Sequence, residues 1–474
     1  MITGQVRKGA YFDSVTLMRV GKEITSLPGI IDAAVVMATA SNKAILDSSG
    51  LLAAQFKDAG DTDLVIAVKA ESEAAAKSAL TAVDGLLKRP ATTESRPVTL
   101  SSALQVVPEA NLALISIAGR YAGDEAMRAL EAGLHVMLFS DNVRLEKEIA
   151  LKKFAAKRGL LVMGPDCGTA IINGVPLAFA NVVNRGNIGI VAAAGTGLQE
   201  VSCIISNAGA GISQAIGTGG RDVKKEVGGI MFIEALKALA KDEQTKVILL
   251  VSKPPHPEVL KRINKVLKTI RKPVVTMFIG ASPGTLEDAA LQAVGRKATA
   301  VRLKIPKPKK GQKYIRGLFS GGTFCAEAQI LLPKEAYSNA PTGKAKQLKS
   351  SLKSQKNTFL DLGEDEFTVG RPHPMIDYSL RNKRILEEAA DPETAVILLD
   401  VVLGYGSHPD PASELAGVIR EASRKVAVVC SITGTDKDPQ NRSKVAAALK
   451  KAGAIVMPSN AAACKLAGSI VQCR

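Results

Sequence analysis

Gly195, Thr196 and Gly197 stand between an apolar run, Ile188 to Val191, and a helical pattern carried by Leu198, Val201, Ile204 and Ile205. A strand that turns through glycine into a helix leaves backbone N–H groups unpaired at the helix start. Together with the helix dipole, these favour a bound phosphate or carboxylate. The turn occurs twice. Ile315 to Glu327 aligns without gaps on Ile188 to Glu200, so Gly322 falls on Gly195, Thr323 on Thr196 and Glu327 on Glu200, with Gly321 leading the second copy. Two such helix ends facing each other would hold one phosphate between them. A glycine turn made only for tight packing is the competing reading of either copy.

Charged residues gather after other predicted strands. Arg221 and Asp222 follow Gly219-Gly220, and arginine suits a bidentate grip on phosphate or carboxylate. Lys253 follows the buried run Val247 to Val251 and is stopped by Pro254-Pro255, which places it at a strand C-terminal end, where α/β sites lie. It neutralises an anion there or is a plain surface lysine. Arg371 and His373 sit in a proline-stiffened loop, and His408 in GYGSHPD is a weaker candidate. His135 and His256 read as structural. Six cysteines show no CxxC pair, and no His, Cys and carboxylate spacing suggests a metal. Cys325, in the first turn of the second helix, is a packing residue or a thiol with a lowered pKa.

These residues need α/β layers to position them. Residues 1–95 alternate strands at Val6 to Tyr11, Ile30 to Ala38 and Leu64 to Lys69 with helices at Ser14 to Ser26 and Ser72 to Leu87. Asn42 to Ser48 is a shorter helical candidate. The pattern predicts a small ferredoxin-like domain with no chemistry of its own. Residues 96–185 read as a partial Rossmann-like domain that lacks its first βα unit, so a dinucleotide site is not expected. Residues 186–300 and 314–474 read as two flavodoxin-like domains of one plan.

With 474 residues and 46% hydrophobic content the chain supports several cores. Few aromatics argue against stacking on single-stranded nucleic acid. Of the net charge of +17, most lies between Arg296 and Lys356, where 15 Lys and Arg face two acids. The charge belongs to connectors, read as solvated loops and not as a nucleic-acid surface. The stretch from Lys344 to Lys356 has no counterpart in the first copy and is predicted to be a removable surface insertion. No apolar run reaches the length of a membrane span and no signal-peptide core opens the chain, so a cytoplasmic protein is expected.

Motifs at several of these points resemble a known family. GPDCGT, the Gly195-Thr196-Gly197 turn, IGTGGRD and KDEQTKVILLVSKPP resemble the succinyl-CoA synthetase α subunit in order and spacing. SGGTFCAE, FLDLGED and VILLDVVLGYGSHPD resemble the C-terminal domain of its β subunit. Their fusion behind a small N-terminal domain, with GRPHPMID at Gly370 to Asp377, is similar to the FdrA family over nearly the whole chain. The resemblance implies a CoA-binding-type domain at 96–185 and two ligase-type domains after it. It also shows departures. The synthetase's phosphohistidine loop falls on Gly280-Ala281-Ser282-Pro283-Gly284, without histidine, and the glutamate that positions that histidine is replaced by Ser252-Lys253. The ATP-grasp half and the glycine-rich opening of the CoA-binding half are absent. An ATP-dependent phosphohistidine mechanism is therefore not expected.

Three functions follow as expectations. The first is carbamoyl transfer of the kind linked to FdrA-like proteins, in which carbamoyl phosphate and oxamate exchange with oxalurate and phosphate. Gly195, Thr196, Gly197, Gly219, Gly220, Asp222, Gly321, Gly322, Thr323 and His408 would bind the anion there, with Arg221, Lys253, Arg371 and His373 as catalytic groups. It requires no cofactor. The second is an acyl-CoA synthetase subunit with a separate ATP-grasp partner, which leaves CoA open. The third is a non-catalytic scaffold or ligand sensor. Small anions and further subunits, or copies of itself, are the expected partners.

Overall fold

The computed structural model describes residues 1–472 except 11, 13, 40–41, 44–45, 48, 88–96, 300–304 and 369–371. The chain divides into two compact units: Met1–Pro108 with Asp365–His373, and Glu109–Glu364 with Pro374–Arg474.

In the smaller unit, strands β1 (Ile2–Arg7), β2 (Ile30–Met37) and β3 (Leu64–Ala70) form an antiparallel sheet in the order β1-β3-β2. Alternation along β3 sorts its two faces. Leu64, Ile66 and Val68 pack with Leu17, Val20 and Ile24 of helix Ser14–Thr25 and with Ala76 and Val83 of helix Glu73–Leu87. Val65 and Ala67 face Leu46, Leu51 and Phe56 instead. This is the ferredoxin-like order without a last strand among the described residues. The first strand lies earlier than the sequence predicted. It ends at Arg7 because Gly9 turns with φ +64° and gives its N–H to the Asp63 carboxylate at 2.9 Å. The short helix expected at 42–48 falls partly outside the described residues.

The larger unit opens with β4 (Leu112–Ile115), β5 (His135–Leu138) and β6 (Val162–Met163), a parallel sheet with helices Gly119–Glu131 and Leu145–Lys157 in the crossovers. A hairpin follows that the sequence reading missed. β7 (Thr169–Ile172) and β8 (Val175–Ala178) join through Asn173 and Gly174, both with positive φ, and β7 adds antiparallel to the strand Ile212–Gly217 of the next sheet.

That sheet has the order β12-β11-β9-β10-β7-β8, with β9 (Arg185–Ala193), β10 (Ile212–Gly217), β11 (Val247–Ser252) and β12 (Val274–Phe278) mutually parallel. The last sheet comprises β13 (Tyr314–Phe319), β14 (Ala336–Ser338), β15 (Lys346–Gln347), β16 (Asn357–Asp361), β17 (Thr394–Val402), β18 (Ala427–Thr433) and β19 (Ile455–Met457). Its order is β15-β14-β16-β13-β17-β18-β19. With β13 set on β9, the run β18-β17-β13-β16 repeats β12-β11-β9-β10 strand for strand. The duplication seen in one turn is a duplication of the sheet.

Helices Gly195–Asn207 and Leu286–Ala293 of the first repeat meet Gly322–Leu331 and Asn460–Gln472 of the second. Leu198, Val201, Ile205, Ala290, Phe324, Ala328, Ala463 and Ala467 lie there in one buried cluster that spans both repeats. Alanine-rich faces let the four helices approach closely.

The lysine-rich stretch near 344–356, expected to be a surface insertion, is built into the sheet and the core. It supplies β15, buries Leu348 and caps Arg384, whose Nη1 reaches the carbonyls of Ser351 and Leu352 at 3.0 and 2.9 Å. Charge hid this, because the contacts are made by backbone carbonyls and one buried leucine among the lysines. No helix among the described residues is long and apolar enough to cross a membrane.

Candidate functional site

Strands β9 and β13 each run into an uncapped helix. Ala194 and Gly321 occupy the N-cap positions, and neither supplies a side-chain acceptor. In the first copy the earliest amide to bond back is that of Leu198, to the Ala194 carbonyl at 2.9 Å. In the second, Phe324 and Cys325 donate to the Gly321 carbonyl at 3.0 and 3.1 Å. The preceding amides of Gly195, Thr196, Gly197, Gly322 and Thr323 are the orphan donors that a helix start leaves over.

The two ends touch. A Cβ placed on Gly197 would come within 2.9 Å of Thr323 Cγ2, and one on Gly321 within 2.9 Å of Thr196 Cγ2. Each threonine thus lies over a glycine of the other repeat. Gly195 is exposed, and a Cβ there meets only Thr169 Oγ1 at 3.7 Å, so the open space lies on its side.

Buried carboxylates hold this junction. Asp400 accepts from the Ser320 amide (2.8 Å), the Ser320 hydroxyl (2.8 Å) and the Gly321 amide (2.9 Å), and pairs with Arg381 at 3.0 Å. Asp400 and Arg381 are fully buried, and the guanidinium lies 4.7 Å from the Tyr378 ring centre. The repeated glutamates act reciprocally across the repeats. Glu200 accepts the Asn460 amide at 3.0 Å and the Thr433 hydroxyl, capping a helix of the second repeat. Glu327 accepts the Leu286 amide at 2.8 Å, capping a helix of the first, and the Asn460 side-chain amide at 2.8 Å. Burial raises both carboxyl pKa values, Glu327 to about 7; the charge of Glu200 adds to the rise at Glu327, and that of Glu287 to the rise at both.

Two charges differ between the repeats. Lys253 leaves the end of β11, and its field lowers the pKa of Asp361 at the end of β16. Desolvation wins nonetheless and pushes Asp361 up to about 7. Asp361 Oδ2 lies 2.4 Å from the position a Cβ on Gly322 would take. Only glycine fits beside it.

The remaining candidates sit elsewhere. Asp222 is fully buried and caps helix Ile230–Lys241 through the Phe232 amide at 2.7 Å. It also meets Lys152 at 2.9 Å. Lys152 in turn bonds Glu148 (2.8 Å) and the Thr218 carbonyl (3.0 Å), and Arg221 closes the network on Glu148 at 2.9 Å. Asp222 therefore has no acceptor to spare for a ligand's cation and no donor for an anion. Arg221 also donates to the Val143 carbonyl at 2.8 Å. Gly219, with φ +79°, gives close passage over Pro165, and a Cβ on Gly220 would meet nothing within 4 Å.

His408 Nδ1 accepts the Asp410 amide at 3.1 Å, while the ring abuts Tyr378 edge-on, so it shapes its own loop. His135 and His256 likewise accept backbone amides, from Leu161 at 3.0 Å and Glu258 at 3.3 Å. His373 belongs to the smaller unit, and Arg371 lies outside the described residues. Cys325 is buried and its pKa is raised by that burial, so of its two readings the packing residue holds and the lowered pKa does not. The Gly280–Gly284 turn folds on itself, with Ala281 and Ser282 donating to the Phe278 carbonyl at 2.8 and 2.7 Å.

Sequence reasoning missed Asp361, Asp400, Arg381, Asn460, Lys152 and Glu148. The one available signal was Asp361, which begins the glycine-bearing turn after β16.

Family models match three stretches: an AllF heavy metal-associated domain at residues 1–102, a CoA binding domain at 183–280 and a CoA-ligase at 318–470. The chain is 42% identical to Uncharacterized protein YahF of Escherichia coli K12, with 96% of each chain covered. It is 29% identical to the Succinate–CoA ligase [ADP-forming] subunit alpha 1 of Archaeoglobus fulgidus over 37% of this chain, spanning 60% of that subunit. A dinucleotide-forming acetyl-coenzyme A synthetase 1 from Ca. Korarchaeum cryptofilum matches 81% of this chain and 87% of its own at 15% identity and a TM-score of 0.34.

Proposed function

Because the chain belongs to the FdrA-like family of succinyl-CoA ligase relatives, together with YahF, we propose that it is the ligase-type subunit of an acyl-CoA synthetase. In this role it holds the phosphoryl group of an acyl phosphate between the helix ends at Gly195–Gly197 and Gly322–Thr323. The observation that carries the reading is the contact of two uncapped helix starts, Thr196 over Gly321 and Thr323 over Gly197.

The CoA thiol would attack the acyl carbon, a thioester bond would form as the carbon–oxygen bond to phosphate breaks, and the thiol's proton would leave with the phosphate as hydrogen phosphate. Orphan amides aimed at the leaving phosphate stabilise the charge that grows there, and Lys253 adds a cation at the same cleft. Nothing in that step needs a nucleotide, so ATP belongs to a separate ATP-grasp partner. The comparisons favour this over the carbamoyl transfer expected from sequence. Carbamoyl phosphate is the discriminating ligand because the Gly280–Gly284 turn holds no histidine to take the phosphoryl group.

Calorimetry and thermal shift with inorganic phosphate, acetyl phosphate, carbamoyl phosphate, CoA and ATP test the proposal. Phosphate, the acyl phosphates and CoA should bind, and ATP should not. Tight ATP binding by the isolated chain, or acid-labile phosphohistidine after labelled ATP, would overturn it. Turnover of carbamoyl phosphate with oxamate and no CoA would return the function to carbamoyl transfer.

A further inference from the structure

Asp361 has no role in the architecture that accounts for its position. It is 96% buried by its 4% exposure, yet only Oδ1 is engaged, by the Gly363 amide at 3.0 Å. Oδ2 makes no hydrogen bond among the described residues and lies against Gly322, the first residue of the ten-residue helix Gly322–Leu331. It is not a helix cap, because it accepts none of the helix's amides. The turn before that helix is already held by Asp400. A carboxylate oxygen free of hydrogen bonds, on a largely buried side chain set against an uncapped helix start, occupies the ground where an external anion would sit.

We infer that Asp361 is a proton-linked gate on the anion site, so that an anion is held at the Gly322 helix end only when the Asp361 carboxyl is protonated. The inference rests on the reading of the helix ends as a phosphate cradle and adds which charge state of the protein binds. Ionised, Asp361 repels the incoming anion across a poorly solvated gap; protonated, its O–H is a donor to that anion.

Charged neighbours bias the ionisation of Asp361 in both directions. Lys253 favours its ionised form, while Glu364 and Asp400 oppose it. Buried Cys325 lies close enough to feel Asp361 and stays a neutral thiol. Burial outweighs Lys253 and moves the carboxyl to about 7, so that the gate titrates near neutrality. The site would thereby take up an anion and a proton together, and release of phosphate would return the proton.

Sulfate is the probe, because it stays a dianion across the working range whereas phosphate itself titrates. Calorimetric titration of the full chain from pH 5.5 to 9 should show affinity falling about tenfold per pH unit above the carboxyl's pKa. At alkaline pH, buffers of different ionisation enthalpy should report uptake of one proton per sulfate. Asp361→Asn should bind sulfate with little pH dependence and more tightly than wild type at pH 8.5. Lys253→Met should weaken sulfate at every pH and move the onset of the fall upward, without abolishing it.

An undiminished fall in Asp361→Asn, or no proton uptake by wild type, would overturn the gate while leaving the cradle intact. Absence of sulfate and phosphate binding in both proteins at every pH would remove the cradle, and the gate with it. If Asp361→Asn does not fold, the buffer comparison on wild type still decides the matter.

Discussion

The two repeats share strand order, a Gly-Thr helix start and a buried glutamate one turn into the helix, yet they surround that start with different charges. The first offers exposed Gly195 and a lysine, Lys253. The second offers Gly322 pressed by Asp361, with its preceding turn tied to the Asp400–Arg381 pair. What is duplicated is the scaffold: each glutamate caps a helix of the other repeat, so Glu200 and Glu327 fix the relative position of the two helix ends. What has diverged is the electrostatics. One end is open; the other is guarded by an acid, and it is on that acid that Lys253 acts. A symmetric frame therefore presents an asymmetric anion site.

The largest effect should come from breaking the frame. Glu327→Ala leaves the buried Leu286 amide and the Asn460 side chain without an acceptor and opens a cavity, which should cost roughly 2–4 kcal/mol in denaturant unfolding. Glu200→Ala should cost a comparable amount. The double mutant should lose less than the sum, because both glutamates bond Asn460. Strict additivity would mean that the two caps are independent.

Next in size is the steric difference between the turns. Gly322→Ala drives a Cβ into Asp361 and should weaken phosphate binding by about tenfold or more, whereas Gly195→Ala has room and should cost about threefold or less. Equal losses at the two glycines would show that the asymmetry does not reach the ligand. Lys253→Met should weaken phosphate by about tenfold at physiological salt and flatten its salt dependence. An unchanged salt dependence would remove Lys253 from the site.

The smallest expected effect is in pH. Glu327 and Asp361 both have raised values, so the folded chain keeps protons that the unfolded chain has already released. Their contribution to stability is full below the unfolded carboxylate pKa and is lost as pH rises towards about 7. Thermal melts should decline over that interval, and Glu327→Gln should flatten the decline. A melting temperature that rises with pH there would contradict the assignment.

The repeat, its strands and its paired glycine turns were legible in the sequence because each is local: apolar runs, helical spacing and a gap-free alignment of Ile188–Glu200 on Ile315–Glu327. The missed elements depend on partners far along the chain. Asp400 reads as one acid in an apolar strand until the Ser320 turn is folded onto it, 80 residues away. Asp222 read as a ligand group because it follows glycine; its partner Lys152 lies 70 residues earlier on another sheet's helix. The β7–β8 hairpin is a different case. Asn173-Gly174 is a strong local turn signal, obscured here by strands of only four residues each.

Calorimetric titration of inorganic phosphate into wild type, Gly195→Val, Gly322→Val and the double mutant tests the shared cradle most directly. The expected result is one phosphate per chain in wild type, weakened by either substitution, with the double mutant losing less than the sum because both helix ends hold the same ion. Two independent phosphates with additive losses, or affinity unchanged by both substitutions, would contradict it.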